Sequence, residues 1–504
     1  DESFAVKDGK ILETGPSNMI LKKYRSDRLM DMNGMFIYPG LVDAHCHFYG
    51  YGMNLNDADL VGTTSFEEII EILRNHHAQN PTEWILGRGW DQNDWPVKEF
   101  PTRDQLDAAF PDNPVYLRRI DGHGAIANTE ALERAGITEE TSVEGGQLIR
   151  KDGRLTGVLI DNAMGLVGRI VPGPTQDDMV SGLLMAQKNC FAVGLTAVHD
   201  AGLSKGLIEL MDSLHNEQSF KMRVYAMMSP SKENFETYLE QGVYETDRLT
   251  VRSIKLFADG ALGSRGALMI ESYSDDPGNH GLLVTEKDRL IELCQKAYDA
   301  GYQVNTHCIG DSANRLMLHI YADILQGQND RRWRIEHAQI IHPDDFSLFG
   351  QYNIVPSIQT THATSDMYWA GDRVGPERMK GAYAYKTLLG QNGWIPNGSD
   401  FPVEHINPLY GFYAAVARQD LEEYPTGGFQ SEEALSRKEA LLAMTIWAAK
   451  SGFNEEKYGS LEPGKFADFI IMGTDIMTCD IDQVPGLKIH KTYIQGEEVY
   501  SAEE

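Results

Sequence analysis

His45 and His47 stand one residue apart in the apolar stretch PGLVDAHCHFYGYG, residues 39–52. In a strand, alternate side chains share a face, so both imidazoles would point together, with Asp43 in line below them. Two convergent imidazoles can grip one metal ion; two ordinary polar residues near a strand end would do no chemistry. The rest of the chain has to decide between these. Further polar residues close other short apolar runs: His199 and Asp200 in GLTAVHDAG (194–202), Lys255 in LTVRSIKLFADG (249–260), His307 in YQVNTHCIG (302–310), His337 in WRIEHAQI (333–340) and Asp400 in WIPNGSDFP (394–402).

These runs, with FIYPGLVDAHCH (36–47), MRVYAMMS (222–229) and NIVPSIQT (353–360), make eight candidate strands. Helical patterns such as 286–301 and 312–325 separate most of them. Strands alternating with helices imply a parallel sheet, and eight such units imply an α/β fold of the (β/α)8 TIM-barrel type. Barrel chemistry sits at the C-terminal strand ends, where the polar residues lie.

Two regions exceed a plain barrel. Residues 54–180, after the first strand, are far longer than the roughly 30 residues of a βα repeat. Loops at the active face shape pockets, so this stretch reads as an inserted, substrate-shaping subdomain; the alternative is a structural excursion. At the ends, FAVKDGKILETG (4–15) reads as a hairpin turning at Asp8-Gly9. Residues 459–475 and 489–501 also read as strands and turns. The expected domains are therefore a composite β-sandwich (1–38 with 455–504) and a barrel (39–454) carrying the insertion.

The 504-residue chain is 42% apolar and 24% charged, ordinary for a globular protein. Its net charge of −29 lacks a basic footprint and argues against a nucleic-acid partner. No apolar run is long enough for a membrane span. Five widely spaced cysteines (Cys46, Cys190, Cys294, Cys308, Cys479) without a Cys-x-x-Cys favour reduced thiols and a cytoplasmic location. The abrupt start at DESFAVKDGKIL leaves a removed leader, and hence the periplasm, open. A homodimer also stays open.

Taken in order, His-x-His, Lys, His, His and Asp at strand ends resemble the amidohydrolase superfamily. The phrases WDQNDWP, KLFADGALGSRGA, THCIGDSAN, IEHAQ, HATSDMYWA, GSDFPVEHINPL and GSLEPGKFADFIIM make it similar to the YtcJ-like amidohydrolase family 3 subset, which includes N-substituted formamide deformylase. The resemblance spans nearly the whole chain. It implies a barrel plus a small β-sandwich from both chain ends, and one or two divalent metals, most simply zinc. His45 and His47 would hold the more buried ion with Asp400, and His307 and His337 a second. Lys255 would be a carboxylated bridge; an uncarboxylated neighbour or a salt-bridged core lysine are the alternatives.

The implied reaction is hydrolysis of a small-molecule substrate at a non-peptide C–N bond, a linear amide or N-substituted formamide, with cyclic amides and imides open. A bound metal supplies acidified water and a polarised carbonyl, and Asp400 acts as general base. His362 follows strand seven and would donate to the carbonyl oxygen. Asp91, Trp95, His123, His199 and Arg265 are candidate substrate contacts, each equally readable as structural. Trp90, Trp95 and Tyr368 would suit a partly apolar substrate. His76, His77 and His319 read as helix-surface or structural residues, and Cys46 and Cys308 as packing. Non-hydrolytic barrel chemistry, as in an isomerase or decarboxylase, and a regulatory or binding protein on the same scaffold are the competing functions.

Overall fold

The computed structural model describes residues 2–502. Seven parallel strands run in sequence around a nearly closed sheet: Leu41–Cys46, Leu195–Leu203, Arg223–Met228, Leu249–Phe257, Gln303–Cys308, Arg334–His337 and Val355–Ser357. Every residue of the first, third and fifth is buried. A parallel sheet covered on both faces needs such continuous burial, which is why these strands read as unbroken apolar runs. Amphipathic helices such as Lys205–Asn216 and Lys287–Asp299 lay Leu207, Ile208 and Met211, and Leu290, Leu293 and Ala297, into the core.

The expected eighth strand is not a regular one. Gly398 N–H donates to Ile358 O at 2.9 Å on one side; on the other, Ala44 N–H reaches Asn397 O at 3.2 Å and Asp400 N–H reaches His45 O at 2.8 Å. These few bonds close the ring between the seventh strand and the first. Asp400 has φ +61°, in the left-handed region, so the segment leaves extended geometry where its carboxylate is delivered.

Between the first two barrel strands the chain forms a separate six-stranded sheet. In order it holds Ala58–Asp59, Ile85–Trp90, Val115–Arg119, Gly124–Ala127, Arg154–Asp161 and Gly146–Lys151. It has its own apolar clusters, one around Leu60, Trp90, Trp95 and Leu117, another around Ala127, Leu132 and Leu159. At the chain ends, Glu2–Lys7 pairs with Lys10–Pro16. Phe36–Pro39 pairs with Phe469–Met472 in a four-stranded sheet completed by Ile489–Ile494 and Glu497–Ser501. Ile11 of the hairpin packs with Phe469, Ile471 and Tyr493 of that sheet. Among the described residues, no helix is long and apolar enough to cross a membrane. All five cysteines are free thiols.

Candidate active site

A cavity of about 670 Å³ opens at the C-terminal ends of the barrel strands, and the inserted sheet forms one of its walls. His47, Lys255, His307, His337, His362 and Asp400 line it, as do Asp91 and His123 from the insertion. His45 lies just behind, fully buried.

Two imidazoles are oriented the same way. His45 Nδ1 donates to Glu336 Oε2 at 2.7 Å, so Nε2 carries the lone pair and faces Asp400 Oδ1 at 3.5 Å and Lys255 Nζ at 3.1 Å. His337 Nδ1 donates to Gln359 Oε1 at 2.7 Å, again freeing Nε2. Such a bond fixes the tautomer and raises the basicity of the other nitrogen, as metal-binding histidines require. His45, His337 and Asp400 can each offer an atom within 4.8 Å of the others. His47 Nε2 stands 3.3 Å from the same Asp400 oxygen. That oxygen is buried and has no hydrogen-bond partner, an arrangement that would be costly unless a cation completes it. The donor set of imidazole and carboxylate therefore fits a divalent metal.

Electrostatics agree with the geometry. Burial, with smaller contributions from neighbouring cationic groups, pulls the pKa values of His45, His307 and His337 below the ordinary imidazole value, which keeps them neutral, the form that binds metal. Burial works against ionisation of Asp400, but the ring nitrogens of His47, His45 and His337 gathered around it outweigh this and hold its carboxyl well below the usual range. Lys255 Nζ lies 3.1 Å from His45 Nε2, and burial draws its pKa down against the pull of Glu336 and Asp400. His307 is less committed: its Nε2 faces Gly260 O at 3.3 Å, and its ring centroid is 4.6 Å from that of His337.

His337 has φ +72° and Ala338 φ +43°. Strand alternation alone would turn Glu336 and His337 to opposite faces. The left-handed backbone returns the His337 ring to the cavity, while Glu336 reaches His45 from the barrel interior. Strained non-glycine backbone of this kind clusters at functional sites.

The insertion contributes His123, whose Nδ1 donates to Asp161 Oδ1 at 2.7 Å and whose ring lies 4.6 Å from that of His307. Asp161 fits because Gly260 and Gly266 stand against it: a Cβ on either would sit 2.3 or 2.5 Å from its carboxylate. Asp91 reaches the cavity but is already paired with Arg119. His362 Nε2 is 3.9 Å from both Asp400 and Glu404.

Three proposed substrate contacts are not on the cavity wall. Trp95 is an anchor of the insertion's core, its indole donating to Thr63 O at 3.0 Å. His199 is fully buried inside the barrel, where Arg334 Nη2 donates to its Nδ1 at 3.1 Å. Arg265 is drawn aside by Asp275 at 2.8 Å. Trp90 is likewise core, and Tyr368 is exposed and stacked on Tyr424. Sequence reading passed over Glu336, Gln359, Asp161 and Arg88. Only Glu336 carried a local signal, as the neighbour of a candidate ligand.

A barrel of this topology with imidazoles, lysine and aspartate at its strand ends defines the class of barrel hydrolases. Residues 28–500 match the amidohydrolase family, and the chain belongs to it. It is 34% identical over 520 residues to Protein LONG AFTER FAR-RED 3 of Arabidopsis thaliana, covering 99% of this chain and 88% of that protein. It is 33% identical to the amidohydrolase YtcJ of Bacillus subtilis, covering 99% and 96%. An N-substituted formamide deformylase of Arthrobacter pascens is 24% identical, covering 98% and 94%. Among solved structures, an uncharacterized metal-dependent hydrolase from Pyrococcus horikoshii OT3 superposes with a TM-score of 0.77 at 29% identity, covering 95% of this chain and 94% of that one.

Proposed function

We propose that this protein is a metal-dependent hydrolase that cleaves a non-peptide C–N bond in a small molecule, a linear amide or N-substituted formamide. The observation that carries the reading is the buried, unpartnered Asp400 Oδ1 facing two imidazoles whose Nδ1 atoms are already tied down. His45, His47 and Asp400 would hold one divalent ion, zinc in the simplest case; His307 and His337 would hold a second, with Lys255 in carboxylated form between them. When bound, the metal supplies Lewis acidity and a water that deprotonates near neutral pH.

The chain's own residues do the rest. Asp400, ionised, takes the water proton on a carboxylate oxygen and returns it to the departing nitrogen. Glu336 and Gln359 hold the His45 and His337 rings in place. His362, whose Nε2 lies 3.9 Å from Asp400, donates to the substrate carbonyl oxygen. The inserted sheet narrows the cavity and sets which acyl or amine groups enter. In this reading the chain divides into a terminal β-sandwich, a barrel and an inserted, substrate-shaping subdomain. The distant likeness to a formamide deformylase supports the choice of bond.

The test is metal content of protein made with zinc available, followed by formate or amine release from a panel of N-formyl and N-acyl amines before and after chelation. Absence of bound metal would refute the reading. His307→Ala and His337→Ala should each lower the metal stoichiometry, since each removes an imidazole from the set.

A further inference from the structure

Arg88 belongs to the inserted strand Ile85–Trp90, is 9% exposed, and lines the cavity. Its register places it between Asp59 on one neighbouring strand and Arg118 on the other. Neither neutralises it. Asp59 turns Oδ1 back to accept the Val61 N–H at 3.1 Å, and Arg118 is itself a cation that takes Asp57 at 3.3 Å. Asp91 and Asp121, the next carboxylates along the wall, are both held by Arg119. Arg88 instead donates through Nη1 to Pro402 O at 2.5 Å and through Nη2 to Ile120 O at 2.8 Å.

Two of the five guanidinium N–H groups are thus committed to carbonyls, and three are left. A buried guanidinium without a carboxylate is costly, and the two carbonyls lock its plane without cancelling its charge. Pro402 lies two residues beyond Asp400, so this fixed cation stands beside the proposed reacting centre.

We propose that Arg88 is the subsite for a substrate carboxylate, so that the amides cleaved here are those of amino acids, N-acyl or N-formyl amino acids as a class. The proposal rests on the hydrolase reading above. A planar monoanion matches the guanidinium fork. A doubly charged phosphate would meet Asp57, Asp59, Asp94 and Asp121 in the same cavity. In the reaction, the hydroxyl of water bonds to the acyl carbon, the C–N bond breaks, and the remaining water proton goes to nitrogen, giving a carboxylic acid and a free amino acid.

The experiment compares N-formyl and N-acetyl derivatives of leucine and phenylalanine with their methyl esters, on zinc-loaded full-length protein. The expected result is a kcat/KM at least about 10-fold higher for the acids, carried mainly in KM, as suits one charge-assisted hydrogen-bonded pair. Arg88→Gln should collapse the acid-to-ester ratio toward one, and Arg88→Lys should restore part of it. Esters cleaved as well as acids by the wild type, or an unchanged ratio in Arg88→Gln, would overturn the subsite. Calorimetric binding of the same pairs separates the two readings. Acid binding that needs Arg88, without hydrolysis, keeps the subsite and refutes the hydrolase reading; no preference for acid over ester in either assay refutes the subsite. If thermal unfolding shows that Arg88→Gln does not fold, the wild-type preference decides alone.

Discussion

Glu336 is the most informative single perturbation. Its carboxylate is fully buried; Oε2 accepts the His45 Nδ1–H at 2.7 Å and Oε1 lies 3.6 Å from Arg334 Nη1. Burial opposes its ionisation, but His45 and Arg334 outweigh this and keep the carboxyl below its ordinary value. Glu336→Gln keeps the shape and an acceptor for His45 but removes the charge. Losing such an orienting partner costs about 10–100-fold in metal affinity. That factor corresponds to roughly 1.4–2.7 kcal/mol of binding free energy. Glu336→Ala goes further. Among the described residues, no other carboxylate lies within ion-pair distance of Arg334, so a buried guanidinium is left uncompensated. Breaking a buried pair from one side costs about 3–5 kcal/mol of stability. The assays are zinc titration against a competing chelator and thermal unfolding of the metal-free protein. The expected pattern is a metal-affinity loss in both variants, with a large loss of melting temperature only in Glu336→Ala. A folded Glu336→Gln with wild-type zinc affinity would refute the claim that this carboxylate orients a metal-binding imidazole.

Other outcomes follow from the same geometry. Asp400→Asn should lower turnover of a confirmed substrate by about 10²–10⁴, the worth of a general base, with thermal unfolding run alongside to show that the variant is folded. Gly260→Ala should destabilise the protein by about 1–3 kcal/mol, because its Cβ would meet the Asp161 carboxylate at 2.3 Å. Gly390→Ala, in the helix Tyr385–Asn392 with open space around it, should instead be neutral or raise stability by up to about 1 kcal/mol; denaturant titration distinguishes them. Burial raises the Asp200 pKa to about 7, above the roughly 3.9 of an unfolded aspartate. Its folded state therefore binds the proton more tightly, and this contribution to stability is full below about pH 4 and is lost as pH rises toward 7. Asp200→Asn should flatten that part of the stability–pH curve.

Much of the barrel was legible because a strand buried on both faces must be apolar along its length, and seven of the eight runs form regular strands. The eighth, around Asn397, is held by a handful of bonds, and its Gly-Ser-Asp end bends away from extended geometry. The terminal hairpin was legible too, since Asp8-Gly9 can take the two positive φ values its turn needs. Residue type and order also marked His45, His47, Lys255, His307, His337 and Asp400, because few side chains suit metal and proton chemistry.

Aim and partnership were not legible. Trp95 and His199 have the chemistry of substrate contacts but are consumed by Thr63 and Arg334, residues 32 and 135 positions away in the chain. Glu336 serves His45 across 291 residues, and His337 turns beside it only because its backbone leaves the strand conformation. Arg88 is one arginine among many in the sequence. Three strands and two loops must first assemble before its neighbours are seen to spend their carboxylates elsewhere and leave it unpaired. A local sequence window reports what a side chain can do; which hydrogen bonds and charges it has left to do it with is a long-range property, decided when distant strands pack.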